Sequence, residues 1–140
     1  MARQIFGAWL LAVVLSSLTN RLLAHHSFGA EYDANKPITL TGVVTRIDWT
    51  NPHSYFYLDV TDDKGNVVNW KFEGYPPNAL SRTGWKREAT MKPGDKVTVF
   101  GWRARDASNL AHSREVTFAD GKKLFVGSSG TGAPGEKPEK

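Results

Sequence analysis

Four histidines are the residues of this 140-residue chain whose chemistry best suits metal binding: His25, His26, His53 and His112. Neutral imidazole is a common ligand for copper, zinc and nickel, and copper(II) binds most tightly among the divalent ions. The chain has no cysteine, which excludes disulfides, thiolate zinc sites, cysteine nucleophiles and iron–sulfur clusters. The histidines are therefore the side chains on which a copper or zinc hypothesis rests.

The first 24 residues predict a cleaved signal peptide. Arg3 precedes an uncharged apolar run over residues 5–15, and Ala24 stands at a suitable cleavage position. The run is shorter than the roughly 20 apolar residues that a membrane anchor needs. We therefore expect a periplasmic or secreted protein that begins at His25 and has no membrane anchor after cleavage.

Cleavage after Ala24 would give His25 a free amine beside its ring nitrogen. That pair of ligands resembles the histidine brace of copper monooxygenases and of some periplasmic copper carriers. A copper site would then use His25, His26 and His53 as ligands, with His112 as the alternative to His26. The alternative is that His25 and His26 form a disordered end and that the Asn-Pro turn simply holds His53 in place.

The charge balance argues against nucleic acid as a partner. The formal net charge is +4, but without Arg3 and Arg21 of the predicted signal peptide there are 16 basic and 14 acidic side chains, or +2. That excess is too small to indicate a nucleic-acid surface, and export also conflicts with one. A small molecule or a partner protein in the periplasm is the expected partner.

Alternation of apolar residues predicts an all-β domain. Phe56 and Leu58 share one face of a strand, as do Trp70 and Phe72 of the next. The residues expected to face the core are Phe56, Leu58, Val60, Val68, Trp70, Phe72, Val97 and Val99. Strands are predicted over residues 38–49, 53–61, 67–73, 96–102, 114–118 and 123–126, with a helix within 76–84 and a polar loop over 103–113.

This element order is typical of a five-stranded OB-like Greek-key barrel with one short helix between strands three and four. The last two strand pieces are taken as parts of the fifth strand. The apolar phase of the first strand changes at Gly42, which indicates a bend or a bulge. The predicted organisation is a signal peptide over 1–24, an extended N-terminal segment over 25–36, the barrel over 37–127 and a disordered tail over 128–140.

An OB-like barrel binds ligands on the outer face of strands two and three, between the loop that joins strands one and two and the loop that joins strands four and five. That face should carry alternating residues that include Asn69 and Glu73. The predicted ligand-binding residues on this face and its rim are His53, Tyr55, Tyr57, Lys71, Trp49, Trp102 and His112. The alternative is an ordinary solvated surface, because tyrosine and lysine are also common strand residues.

Several sequence blocks resemble a family of small exported bacterial proteins that is classed as a domain of unknown function. The resemblance implies an exported OB-like barrel and no particular activity. The blocks are residues 24–28 (AHHSF), 39–44 (TLTGVV), 49–53 (WTNPH), 57–60 (YLDV), 78–80 (NAL), 84–85 (GW), 92–95 (KPGD) and 123–125 (KLF).

No phosphate-binding glycine loop, nucleophile elbow or local catalytic triad occurs in the sequence. We therefore expect a non-enzymatic, exported OB-fold module that binds a ligand or a partner. The alternative function is a periplasmic copper-binding protein that uses the mature N-terminal histidine, with copper as its cofactor.

Overall fold

The computed structural model describes residues 28–127, which form an all-β fold with short helices. The predicted signal peptide, His25, His26 and the predicted tail lie outside these residues. The elements, in chain order, are α1 (Phe28–Glu31), β1 (Tyr32–Asp48), β2 (Ser54–Thr61), β3 (Val67–Gly74), α2 (Pro77–Arg82), α3 (Arg87–Thr90), β4 (Lys96–Ala104), β5 (Leu110–Phe118) and β6 (Lys123–Phe125).

The strands form a six-stranded sheet that closes into a ring. Their order is β3-β2-β1-β4-β5-β6, and all of these neighbours pair antiparallel. A further, parallel pairing joins Lys71, Phe72 and Glu73 of β3 to Leu110, Ala111 and His112 of β5. We call the closed part, β1-β2-β3-β5-β4, the strand ring.

The long strand β1 belongs to both sides of the strand ring. Its residues from Pro37 to Val43 pair with β4, and those from Val43 to Asp48 pair with β2. Gly42 lies where the partner changes, and a Cβ atom there would be 2.6 Å from the carbonyl oxygen of Asp59. The predicted change at Gly42 therefore corresponds to a close backbone approach, and the register shift follows it, between Val44 and Arg46.

The ring interior is an apolar core. Six of the eight residues predicted to face it are buried. Trp70 is only partly buried and packs against this core, while Val68 is partly buried and not part of it. Val68 pairs with Val60 next to the exposed hairpin that joins β2 to β3, and Trp70 pairs with Leu58 two residues further along. The six confirmed core residues are Phe56, Leu58, Val60, Phe72, Val97 and Val99.

Three details of the predicted architecture were wrong. The fifth strand is followed by a separate sixth strand, β6, which pairs with β5 at residues Glu115 to Thr117. Two short helices, not one, lie between β3 and β4, because Gly84 adopts a φ of 95° that ends the helical path after α2. The predicted polar loop is also shorter, since β4 extends to Ala104 and β5 already begins at Leu110.

The N-terminal part of the domain is folded onto the strand ring. Residues 28–36 were predicted as part of an extended segment, but they form α1 and the beginning of β1. We call residues 28–36 the N-terminal strap. Tyr32 pairs with Ala104 of β4 and is 2% exposed. The backbone N–H of Arg105 donates to the carbonyl of Glu31 at 2.9 Å, and its Nε donates to the carbonyl of Gly29 at 2.8 Å. Within residues 28–127, no helix has the length and apolar character needed to cross a membrane.

Candidate functional site

A row of four side chains crosses the outer face of the strand ring. Tyr55 of β2 lies opposite Glu73 of β3, Glu73 lies opposite His112 of β5, and His112 lies opposite Trp102 of β4. The strap covers part of this row, because the ring of Phe28 packs edge-on against both His112, at 5.4 Å, and Trp102, at 5.5 Å. Pairing register and the strap together therefore create an enclosed region outside the ring interior.

Glu73 is the centre of that region and is only 8% exposed. The hydroxyl of Tyr32 donates to its Oε2 at 2.7 Å. Nδ1 of His53 lies 3.3 Å from its Oε1, and Nδ1 of His112 lies 3.9 Å from the same oxygen. These residues, Tyr32, His53, Glu73 and His112, are the Glu73 cluster.

The surroundings of Glu73 favour its ionised form. Burial acts to raise the pKa of Glu73, because it disfavours charge. Hydrogen bonds from His112 and Tyr32, together with the nearby His53 and His112, outweigh burial and hold the pKa below its ordinary value. The cluster therefore presents an ionised carboxylate, with the Tyr32 hydroxyl on Oε2 and two imidazole nitrogens facing Oε1.

The two tyrosines beside Glu73 are kept neutral. Burial raises the pKa of Tyr32, and the hydrogen bond to Glu73 raises it further. Burial also raises the pKa of Tyr55, with added repulsion from Glu73 and Glu31. Tyr32 is therefore a hydrogen-bond donor to Glu73 rather than a competing anion.

His53 is the accessible imidazole of the cluster. Its side chain is 31% exposed, against 11% for His112. It lies in the loop between β1 and β2, as predicted, and Thr50 donates a hydrogen bond to its carbonyl oxygen at 2.8 Å. The next residue, Ser54, begins β2 and donates its N–H to the carbonyl of Tyr75 at 3.2 Å. The sequence-predicted rim position of His53 is thus fixed from both sides.

The sequence predicted that His112 and Trp102 lie at the rim of the ligand face. In the structure neither of them is an exposed rim residue. His112 lies in β5, and its ring packs between Phe28, Tyr32 and Trp102 at centroid distances of 5.4, 5.4 and 6.4 Å. Trp102 is 5% exposed and forms a second buried apolar cluster with Tyr32 and Ala104. The expectation was wrong because the strap covers a face that strand alternation alone assigns to solvent.

Tyr57 and Lys71 extend the predicted ligand face beyond the row. Nζ of Lys71 lies 3.9 Å above the ring of Tyr55. The guanidinium of Arg46 lies 3.9 Å above the ring of Tyr57, whose hydroxyl donates to Asp48 at 3.1 Å. Cations stacked on aromatic rings hold this part of the face in a defined arrangement.

Trp49 lies elsewhere. Its ring packs against Trp85 at 6.4 Å, and Trp85 in turn packs against Phe118. Trp49 also lines a surface cavity of about 320 Å³ with residues that include Asn51, Pro77 and Arg87. Trp49, one of the predicted ligand-binding residues, therefore packs on Trp85 and is not a member of the Glu73 cluster.

No metal-binding group of three or more His, Asp or Glu side chains occurs within residues 28–127. In the Glu73 cluster both imidazoles turn Nδ1 toward the same atom, Oε1 of Glu73. His25 and His26, the other predicted ligands, lie outside the described residues. A metal ion on His53 would therefore need ligands from outside residues 28–127.

Sequence reasoning missed the residue at the centre of the cluster. Alternation placed Glu73 on the ligand face but gave no reason to choose it. Phe28 and Tyr32 were not considered as site residues, although two aromatic side chains four residues apart are typical of one helix face. That spacing, directly before the first strand, was the available signal that the segment packs against something.

The fold and the site define a small all-β protein with a closed strand ring and a carboxylate–imidazole cluster under an N-terminal strap. Residues 12–113 match the family of unknown function DUF6152, and the chain belongs to that family. The match includes the strap and every member of the Glu73 cluster, and it agrees with the resemblance to a domain of unknown function. No curated protein matches the chain.

Proposed function

We propose that this protein is an exported, non-enzymatic binding module built on an OB-like barrel. The parallel pairing of β3 with β5, the shared strand β1 and the helices between β3 and β4 support the OB-like description. Export is supported by the signal-peptide pattern of residues 1–24. The sequence lacks the nucleophile and phosphate-loop motifs that would favour an enzyme.

One observation supports a binding site at the corner where His53 meets Glu73. Glu73 is only 8% exposed, and a buried carboxylate is costly unless it is paired. The groups around it are therefore an organised arrangement. Tyr32 and His112 attach the strap to Glu73. His53 reaches the same carboxylate from the β1–β2 loop and keeps 31% of its side chain exposed. An imidazole that is both held and accessible is suited to contact a ligand.

The test uses copper(II) and inorganic phosphate as probes on the chain that begins at His25. Calorimetric titrations are made at about pH 7.5 and about pH 5.5, on either side of the ordinary imidazole pKa. A metal should bind more weakly at the lower pH and an anion more tightly. His53→Ala should abolish binding of the probe that the parent takes, while the melting curve stays close to the parent's.

Asn51→Ala is the matched control, because Asn51 is an exposed residue of the same loop. It should bind like the parent. A His53→Ala protein that binds both probes like the parent at both pH values would contradict a site at this corner.

A second candidate function, periplasmic copper binding, is favoured by the path of the strap. Phe28 is fixed 5.4 Å from His112, and Tyr32 is bonded to Glu73. His26 precedes Phe28 by only two residues, which span about 7 Å when extended. We propose that the new N-terminal amine and ring of His25 join His53 as ligands. Copper(II) would be held by these nitrogen ligands.

The copper proposal is tested by blocking only the amine. Copper(II) is titrated into the chain that begins at His25 and into the same chain acetylated on its N-terminal amine. Acetylation removes the amine from the possible ligands and leaves the imidazoles in place, so affinity should fall. Equal affinities would show that the mature N-terminus is not a ligand.

A further inference from the structure

We propose that the cavity beside Trp49 binds a small organic carboxylate, with Arg87 as the residue that holds the anion. The cavity measures about 320 Å³ and is lined by residues next to the end of β1 and by residues of α2 and α3. None of its lining residues within 28–127 belongs to the Glu73 cluster. Binding in this cavity would therefore not depend on the site at His53.

The charge of the cavity indicates an anion. Its lining residues within 28–127 include Arg87 and no aspartate or glutamate. The guanidinium of Arg87 forms no hydrogen bond or ion pair with another described residue. Its parallel N–H groups match the two oxygens of a carboxylate. A phosphate dianion would meet only this one cation among the lining residues, so a carboxylate is the better match.

The backbone of Arg87 adopts a conformation that residues with side chains rarely adopt. Its φ is 32°, on the positive side that favours glycine. The single turn of α3 holds the chain there, because the N–H of Lys86 donates to Oγ1 of Thr90 at 2.7 Å and the N–H of Ala89 donates to the carbonyl of Lys86 at 2.8 Å. Strained residues of this kind cluster at ligand-binding sites.

Trp49 supplies an apolar wall of the cavity and an unused donor. Its ring lines the cavity together with Pro77 and packs on Trp85. Nε1 of Trp85 donates to the carbonyl of Phe125 at 2.9 Å, whereas Nε1 of Trp49 is buried without an acceptor in residues 28–127. A buried indole N–H usually has an acceptor. The two rings favour a carboxylate that is attached to a flat apolar body.

The first test needs no variant. Benzoate and benzyl alcohol share a ring and differ in the carboxylate, and both are titrated into the isotope-labelled chain that begins at His25. Benzoate should shift the indole N–H resonance of Trp49 to saturation and leave in place that of Trp102, which lies in the second apolar cluster. Benzyl alcohol should bind at least about 10-fold more weakly. Equal binding of the two, or a Trp49 resonance that benzoate does not move, would overturn the proposal.

The second test removes the charge of Arg87. Arg87→Gln should weaken benzoate binding by at least about 10-fold, because it takes away a charged hydrogen-bond donor. Arg82→Gln is the matched control, since it removes an equal charge from an exposed residue of α2 that does not line the cavity. It should bind within about twofold of the parent. Equal weakening in both variants would mean that benzoate responds only to net charge, and the site would be wrong.

Inorganic phosphate separates a carboxylate site from a general anion site. At the same concentration as benzoate it should leave the Trp49 resonance in place, because the described lining offers a single cation. A shift as large as that with benzoate would overturn the assignment to carboxylates. If Arg87→Gln does not fold, the comparison of benzoate with benzyl alcohol in the parent decides the matter.

Discussion

The ring interior and the enclosed region under the strap are both buried, but they are built from different interactions. The interior consists of apolar side chains such as Leu58 and Phe72, which contribute stability through the area they remove from water. The region under the strap surrounds Glu73 with hydrogen-bond donors and aromatic rings. The stability contributed by the ring interior should therefore fall when side-chain volume is removed. The stability contributed by the region under the strap should fall when a hydrogen-bond donor is removed, and it should depend on pH.

The largest expected effect belongs to the interior. Phe72 is fully buried and its ring stacks on Phe56 at 5.5 Å. Phe72→Ala should lower the free energy of unfolding by about 3–5 kcal/mol, measured by urea denaturation. Trp70→Ala should lose less although it removes a larger ring, because Trp70 is only partly buried. A greater loss for Trp70→Ala would mean that the interior extends further along β3 than described.

A smaller loss is expected when one donor under the strap is removed. Tyr32→Phe keeps the ring but leaves Oε2 of Glu73 without the hydroxyl 2.7 Å away. Hydrogen bonds to charged groups contribute about 1.5–3 kcal/mol, and we expect a loss in that range from urea denaturation.

Tyr57→Phe is the matched control for Tyr32→Phe. It also removes a hydroxyl that donates to a carboxylate, that of Asp48, but on a half-exposed face. Its loss should stay below about 1 kcal/mol, since water can replace the donor. Equal losses for the two variants would contradict the distinction between the enclosed region and the open face.

The pH dependence of stability should arise partly from Glu73. Its pKa in the folded protein is lower than the ordinary value of 4.5, so its ionised form stabilises the fold above that value. This contribution is lost as the pH falls through the folded pKa. The difference in unfolding free energy between the parent and Glu73→Gln should therefore shrink from neutral pH to about pH 3.

Phe72→Ala is the control for this titration, because it alters the interior and leaves the carboxylates in place. It should keep the parent's pH dependence, including the part from Asp62 and Asp106, whose pKa values are lowered by local hydrogen bonds. If the stability of Glu73→Gln changed with pH as the parent's does, Glu73 would not contribute to the pH dependence. The region under the strap would then not differ from the interior in its response to pH.

The smallest effect is expected on the open face. Lys71→Ala removes a cation 3.9 Å above the ring of Tyr55. Such contacts contribute about 0.5–1 kcal/mol at exposed sites, and urea denaturation should show a loss of that size. Lys64→Ala, in the exposed hairpin, should cause no measurable change. A Lys71→Ala loss as large as that of Tyr32→Phe would extend the enclosed region to this face.

The sequence was sufficient for the interior because burial there follows the alternation of side chains along a strand. Alternation does not say where along a strand burial ends, so Trp70 and Val68 were assigned too deep a position. It also cannot place a segment that packs across strands. Tyr32 meets Glu73 across 41 positions of the chain, and no local pattern encodes that contact. The polar residues Ser108 and Asn109 likewise concealed that β5 starts directly after them, at Leu110.

The parallel pairing between β3 and β5 also determines whether displacement of the strap would leave an unpaired strand edge. An unpaired strand edge is a template for association with other chains. Lys71, Phe72 and Glu73 are flanked by β2 on one side and by β5 on the other. Displacement of the strap would thus expose the side chain of Glu73 while its strand kept both neighbours. A displaced strap would therefore not offer that part of β3 as a template for association with another chain.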